Sequence, residues 1–351
     1  MKKMGNLFCC VFLSLTLIPS CSNSTYNESK PNSDYDYYSE TSSLVESTDT
    51  ISKNYTEVFN FGCAMNLLTR SKSNNGYIPI DTQILEYCGV PMEFVLTTSA
   101  YSDHLSSNVP IKLRIMVMQD GKLLNHSLDK DGTPNIYNDV YVTPDTDFYT
   151  SIYFEPLCNF EYSAVTVICE YLPDDIPEVG TGEYCGAVAF SKLIKINTKT
   201  PYNTEIPAAN YEVLPDNLQS SDDVIGVAIG SELNAPVSYR ITDNHGAYED
   251  ITLSSKSIFL KANIISNKTH YAMILCDGLP IQAFGEDYTI AFNCENGTRT
   301  LNEKINLTEE LADGIHVFQA IVVEHNTSAD QIDTANYITN KIRINIDASP
   351  N

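Results

Sequence analysis

Ile111-Lys112-Leu113-Arg114-Ile115-Met116-Val117-Met118 decides the fold by its alternation: Ile111, Leu113, Ile115 and Val117 take every second position, with Lys112, Arg114, Met116 and Met118 between them. A period of two marks an extended chain, because successive side chains of a β-strand point to opposite faces. The aliphatic set is expected on a buried face and the charges on the other. Strand-like runs return at 148–154, 162–171, 187–196, 258–264, 271–276, 317–323 and 342–346. In the last, Ile342, Ile344 and Ile346 alternate with Lys341, Arg343, Asn345 and Asp347 without a break. No window holds a helical period for three turns, and the best helical stretch, Thr308 to Gly314, reads as one turn between strands. Many short strands divided by Gly, Pro, Asn and Asp predict an all-β chain built as antiparallel β-sandwiches.

The pattern also repeats. Gln119-Asp120-Gly121 follows an alternating run as Cys276-Asp277-Gly278 does, at an offset of 157 (277 − 120). Ala164-Val165-Thr166-Val167 matches Ala320-Ile321-Val322-Val323 at 156 (320 − 164), and Ile194-Lys195-Ile196-Asn197 matches Ile342-Arg343-Ile344-Asn345 at 148 (342 − 194). Two tandem sandwich domains are expected, one over 58–200 and one over 224–351, with a linker over 201–223 punctuated by Pro201, Pro207 and Pro215. The shorter final offset assigns a longer loop to 173–183 than to 325–335. Each Asp-Gly reads as a type I′ hairpin turn, which needs positive φ at both central residues.

Ahead of the first strand, Lys2 and Lys3 precede an uncharged run from Leu7 to Ile18. A spanning helix needs roughly 20 apolar residues, so this shorter run reads as a secretory signal over 1–20. Ile18-Pro19-Ser20-Cys21 resembles the lipobox of bacterial lipoproteins, with Pro19 departing from the usual small residue. The resemblance implies cleavage before Cys21 and a lipid on its thiol. A single acyl chain gives marginal attachment and two or more give a stable one, which makes Cys21 an anchor and the membrane a partner through lipid alone. Residues 21–57 follow as a Ser-, Asn- and Tyr-rich tether with too few aliphatic residues to order itself. The expected location is the extracytoplasmic face of the cell membrane.

Loss of the leader would leave 45 acidic against 19 basic residues, a net charge of 19 − 45 = −26. Nucleic acid is excluded as a partner, because phosphate binding needs a basic footprint. Tyr numbers 22 and Trp is absent, so any aromatic binding surface is made of Tyr or Phe. Beyond Cys9, Cys10 and Cys21, seven cysteines remain: Cys63, Cys88, Cys158, Cys169, Cys185, Cys276 and Cys294. Seven is odd, no C-x-x-C spacing occurs, and for the several cysteines within strand-like runs buried reduced thiols acting as small hydrophobes are expected.

Residues for catalysis are not found. No G-x-S-x-G, H-E-x-x-H or phosphate-loop motif occurs. Ser127-Leu128-Asp129-Lys130 satisfies S-x-x-K without its partner motifs and reads as a loop. The histidines make no metal-spaced pair, and His316 is expected to pack or hydrogen-bond at a strand start. Asp129, Asp131 and Asn135 suggest the first half of a calcium loop, but the twelfth position, which should be a bidentate acid, is Val140; a solvated turn is the expectation. Asp174, Asp175 and Glu178 read as an acidic surface loop. No cofactor, metal ligand or catalytic residue is assigned.

Leu311-Ala312-Asp313-Gly314-Ile315-His316-Val317 resembles a pattern of bacterial immunoglobulin-like surface domains, in which Gly-x-His leads into a late core strand. Leu157 to Tyr162 is matched to it in the first copy, without the Gly or His. The resemblance implies a sandwich used for display, spacing or binding and brings no catalytic residues. The expected function is a non-enzymatic surface lipoprotein that binds or spaces a cell-wall polymer, a glycan or another surface protein. The alternative is a glycan- or solute-capturing lipoprotein serving a transporter or depolymerase, which an exposed Tyr platform or a deep cleft would favour.

Overall fold

The computed structural model describes residues 61–71, 76–80, 84–102, 109–174, 187–191, 193–199, 226–230, 239–242, 245–248, 251–253, 257–266, 269–293, 297–306, 311–324, 336–338 and 342–346, all within one compact unit. The leader, Cys21, the tether and the 201–223 linker lie outside these residues, as do Thr308 to Glu310 of the expected turn.

All regular structure among the described residues is β. The first twelve strands are β1 (Phe61–Arg70), β2 (Tyr77–Pro79), β3 (Ile84–Glu86), β4 (Met92–Ser102), β5 (Ile111–Gln119), β6 (Lys122–Leu124), β7 (His126–Ser127), β8 (Tyr137–Val142), β9 (Phe148–Phe154), β10 (Tyr162–Tyr171), β11 (Ala187–Phe190) and β12 (Ile194–Asn197). They form a five-stranded sheet, β2-β1-β4-β9-β7, and a seven-stranded sheet, β3-β12-β10-β5-β6, with β11 also on β10 and β8 also on β5. The second twelve are β13 (Gly226–Gly230), β14 (Tyr239–Thr242), β15 (His245–Tyr248), β16 (Ile251–Leu253), β17 (Ser257–Ser266), β18 (Thr269–Cys276), β19 (Leu279–Pro280), β20 (Thr289–Asn293), β21 (Gly297–Asn306), β22 (Gly314–Glu324), β23 (Asn336–Ile338) and β24 (Ile342–Ile346). They form a three-stranded sheet, β13-β17-β21, a ribbon, β14-β15, and a seven-stranded sheet, β16-β24-β22-β18-β19, with β20 on β18 and β23 on β22. The two seven-stranded sheets share one connectivity.

Each seven-stranded sheet covers its aliphatic face with the smaller sheet of its own half. Ile111, Leu113, Ile115 and Val117 pack with Val165 and Val167 against Phe94, Leu96, Ile152 and Phe154 of the five-stranded sheet. The Phe94 and Phe154 rings meet edge to face with centroids 5.0 Å apart. Ala272, Ile274, Phe318, Ala320 and Val322 pack likewise against Ile258 and Leu260 of β17. We call these sandwich 1 and sandwich 2.

The structure departs from the sequence reading in three respects. The sheets are antiparallel except that β3 runs parallel to β12 and β16 parallel to β24. In the first case β3 lies in the chain between two strands of the opposite sheet; it switches sheets, so no hairpin ties it to its neighbour. The second difference is one of register. Gln119 pairs with Val165 and Cys276 with Phe318, so Ala164 corresponds to Val317 at an offset of 153, and the match to Ala320 is corrected by three residues. An odd shift turns every side chain to the other face, so the corrected register is the one that buries both cores. It also places Ser163, not Tyr162, at the position of His316.

The third departure concerns the face given to solvent. Arg114, Met116 and Met118 are each no more than 2% exposed. They are covered by the other sandwich: Met116, Met118 and Ile168 join Tyr271, Met273, Leu275, Ile321 and Val323 in one apolar cluster. The contact is reciprocal. Thr289 of sandwich 2 donates its hydroxyl to the Gly121 carbonyl, and Arg114 of sandwich 1 donates Nη1 to the Gly278 carbonyl at 2.5 Å. A Cβ on Gly121 would overlap the Tyr271 ring, and one on Gly278 would lie 2.7 Å from the Pro173 carbonyl oxygen. Arg114 and Tyr271 are equivalent at the 157 offset, so each copy presses the same strand position onto the other copy's hairpin tip. Both turns have the positive φ expected of type I′, at 47° and 78° for Asp120-Gly121 and 50° and 71° for Asp277-Gly278.

Replacing Gly121 by Ala strains a positive-φ site and drives a methyl into a buried ring. Such overpacking with backbone strain costs about 2–4 kcal/mol. Gly121→Ala is therefore expected to lower the urea midpoint substantially, while Gly89→Ala, whose Cβ meets nothing within 4 Å, brings only the smaller φ penalty.

Candidate functional site

The hairpin aspartates fasten each turn to the neighbouring strand. The Asp120 amide donates to the Ala164 carbonyl at 2.9 Å, and Asp120 Oδ1 accepts the Ala164 amide at 2.9 Å. In the second copy the Asp277 amide donates to the Val317 carbonyl at 2.7 Å, and Asp277 Oδ1 accepts the Val317 amide at 2.8 Å. The two sites differ in exposure. Asp120 is 8% exposed, and burial pushes its carboxyl up to about 6 despite the bond from Ala164. It lines a small cavity between the sandwiches with Met118, Gly121, Thr166, Tyr271 and Glu324.

Cys276, Asp277 and His316 bring three metal-type ligand atoms within 4.8 Å of one another. The bonding pattern argues against a metal role. His316 Nδ1 lies 2.7 Å from Asp277 Oδ2 and Nε2 lies 2.9 Å from the Ala312 carbonyl. Both partners are acceptors, so the protonated ring, with a donor on each nitrogen, satisfies both contacts at once. Partial burial pulls its pKa down, but the bonds to Asp277 and Ala312 outweigh this and the net shift is upward. Burial, with Asp277 adjacent, pushes the Cys276 thiol up to about 12, so by itself it stays protonated and is no nucleophile. His316 thus ties the β22 start to the hairpin, as expected from sequence, and Gly314 of the Gly-x-His step opens the strand with φ 135°.

The remaining sequence candidates are turns. Ser127 donates its hydroxyl to the Asp129 carbonyl at 2.6 Å, which accounts for the S-x-x-K stretch. In the expected calcium segment the Gly132 amide donates to the Asp129 carbonyl and the Asn135 amide group to the Thr133 carbonyl, while Val140 is buried in β8. Asp174 pairs with Lys112 at 2.7 Å; Asp175 and Glu178 lie outside the described residues. Cys169 and Cys276 are the buried thiols expected of cysteines within strand-like runs, while Cys88 and Cys158, outside those runs, are exposed. Both sit in loops next to strand ends rather than within a strand's core face.

A site that sequence reasoning missed lies on the outer face of the five-stranded sheet. Pairing sets Tyr77 opposite Arg70, continues from Arg70 to Glu93, and sets Glu93 opposite Tyr153, one row across four strands. Glu93 Oε1 accepts the Tyr77 and Tyr153 hydroxyls, each at 3.1 Å, and Ser151 reaches it at 3.4 Å. Arg70 completes the group, 3.2 Å from Glu93 Oε2 and 5.9 Å from the Tyr77 ring centre. Four residues along β9 from Tyr153, the next outward aromatic is Tyr149, 51% exposed. These residues are scattered from 70 to 153, and only the register brings them together; their abundance of Tyr was the one signal in the sequence.

No family model matches this sequence, and no curated protein matches it significantly. Among solved structures, the C-terminal domain of the Streptococcus agalactiae AgI/II polypeptide BspA aligns over 81% of this chain and 100% of its own at 7% identity, with a TM-score of 0.21. The Streptococcus pneumoniae pilus backbone RrgB aligns over 81% of this chain and 58% of its own at 10% identity and TM-score 0.21. Red sea bream transglutaminase aligns over 82% of this chain and 31% of its own at 4% identity and TM-score 0.18. The fold assignment rests on this chain's own strand pairing.

Asp120 and His316 give stability one direction with pH. The buried Asp120 charge is costly above about pH 6, and the cost disappears as pH falls through 6 toward the ordinary 3.8. The raised His316 pKa means its stabilisation is complete below 6.5 and lost as pH rises through the folded value. These two groups contribute a difference in stability that favours pH 5 over pH 7, opposed by the buried His126, whose lowered pKa acts the other way as pH falls through 6.5, so urea midpoints of variants and wild type are compared at both pH values. Asp120→Asn, which keeps the acceptor for Ala164, should remove about 1 kcal/mol of that difference, and His316→Gln should flatten the profile above pH 6.5. Unchanged profiles in both variants would contradict this assignment.

Proposed function

We propose that this chain is a non-catalytic surface lipoprotein, anchored through lipid on Cys21 at the extracytoplasmic face of a bacterial membrane, whose two Ig-like sandwiches bind a ligand outside the cell. The observation that supports this most directly is the ending of a short apolar leader at Ile18-Pro19-Ser20-Cys21, followed by a tether that cannot fold alone. A flexible coil of about 35 residues holds its payload on the order of 30 Å from the anchor.

The division into domains over 58–200 and 224–351 follows the repeat, but the reciprocal hairpin contacts make the two act as one body in this reading. A non-enzymatic role accords with the chemistry of the described residues: the one clustered His, Asp and Cys are committed to each other and to backbone. The glycan-capturing alternative gains support from the Tyr77, Tyr149 and Tyr153 face, an aromatic surface of the kind that reading requires.

Cys21→Ser tests the anchor. Fractionation of cells expressing the variant should find the protein in the medium with an unchanged melting temperature, whereas retention in the membrane fraction would refute lipid attachment at this residue.

A further inference from the structure

We propose that the outer face of the five-stranded sheet, built on Tyr77, Arg70, Glu93, Tyr153 and Tyr149, binds a neutral polysaccharide laid across the strands. The inference rests on the binding reading above but not on the lipid anchor.

The backbones of the row Tyr77-Arg70-Glu93-Tyr153 span three strand spacings, about 14 Å, and the two end phenols lean inward to meet on Glu93 Oε1. Tyr149 stands four residues from Tyr153 on β9, about 13–14 Å away along the strand, so a third ring lies beside the paired phenols. A row running across several strands suits an extended chain rather than a compact small molecule, for which a concave pocket would be needed. The rings are held in advance. The Tyr77 and Tyr153 hydroxyls both end on Glu93, whose carboxylate is 17% exposed, and Arg70 stacks beside Tyr77. Fixing the rings before binding reduces the ordering cost of association.

Charge selects the ligand class. One guanidinium and one carboxylate neutralise each other within the row, while the whole chain carries a net −24, so a polyanion is repelled and a neutral ligand is not. Pyranose rings present axial C–H groups to an aromatic face and hydroxyls to paired donors and acceptors, which is the combination offered here. A protein partner fits less well. Val95, the apolar residue in the next row between Leu68 and Ser151, is only 3% exposed, so the face lacks the exposed apolar centre on which protein interfaces rely.

The test uses the full chain carrying Cys21→Ser in native affinity gels cast with laminarin, mannan, glycogen or hydroxyethyl cellulose, with alginate as the polyanionic control. Retardation by at least one neutral polysaccharide and none by alginate is expected. Tyr149→Ala should weaken retardation about tenfold with no change in melting temperature, since the ring is half exposed, and Tyr149→Phe should restore it. Tyr153→Ala should weaken it further. Absence of retardation in every neutral gel overturns the proposal, as does equal retardation of wild type and Tyr149→Ala; self-association through this face, seen as a wild-type dimer by sedimentation that Tyr149→Ala abolishes, would also overturn it. Failure here with membrane release of Cys21→Ser intact would reject the polysaccharide site alone.

Discussion

The back-to-back packing of the two seven-stranded sheets governs the rest of the molecule, because it leaves each sheet buried on both faces. A strand with two apolar faces cannot be satisfied by its own sandwich. The second covering comes from the other copy, and its geometry is that of an isologous dimer built within one chain: the residue at one strand position in each copy meets the hairpin tip of the other. Arg114 and Tyr271 fill these matched positions by different chemistry. Tyr271 offers a flat ring over which Gly121 can pass. Arg114 reaches the Gly278 carbonyl, and its remaining donors engage both carboxylate oxygens of Asp139 at 2.8 Å, with the Tyr137 ring 4.6 Å away.

A buried guanidinium is not there for stability alone. Removing the charge from water costs several kcal/mol, and the bidentate carboxylate recovers that cost only because both groups are correctly placed. Burial alone would raise the Asp139 pKa, yet the guanidinium holds it below the usual carboxylate range. A methionine would fill the volume as well but would accept any sliding of one sheet over the other. In this register the guanidinium meets both Asp139 and the Gly278 carbonyl, partners that a slide of one sheet over the other would take from it.

Local pattern made the strands and turns legible from sequence, while the second buried face was legible only in part. Ile111 to Val117 alternates, and the charges at Lys112 and Arg114 pointed to water; in the structure Lys112 stays near Asp174 at the rim while Arg114 is drawn inward by Asp139. The better signal lay elsewhere. Tyr271 to Cys276 and Val317 to Val323 are almost unbroken apolar runs, the sign of a strand covered on both sides rather than one. The repeat was legible at its Asp-Gly turns and failed by three residues in β10, because Val-, Ile- and Ala-rich strands resemble one another at several offsets. What resolves the register is the aspartate, whose carboxylate binds one particular amide on the neighbouring strand.

This arrangement also limits where recognition can occur. In sandwich 1 the seven-stranded sheet has given one face to the core and one to sandwich 2, and the five-stranded sheet has given one face to the core. Its other face carries the row in which Glu93 gathers two phenols, a serine hydroxyl and a guanidinium. A carboxylate that accepts so many donors on an open sheet would be an unusual surface if solvation were its sole purpose, since exposed ion pairs contribute little to stability. It instead holds two large rings at set positions on the outer sheet, apart from the contact between the two halves, so a ligand at the proposed face would leave the internal interface closed.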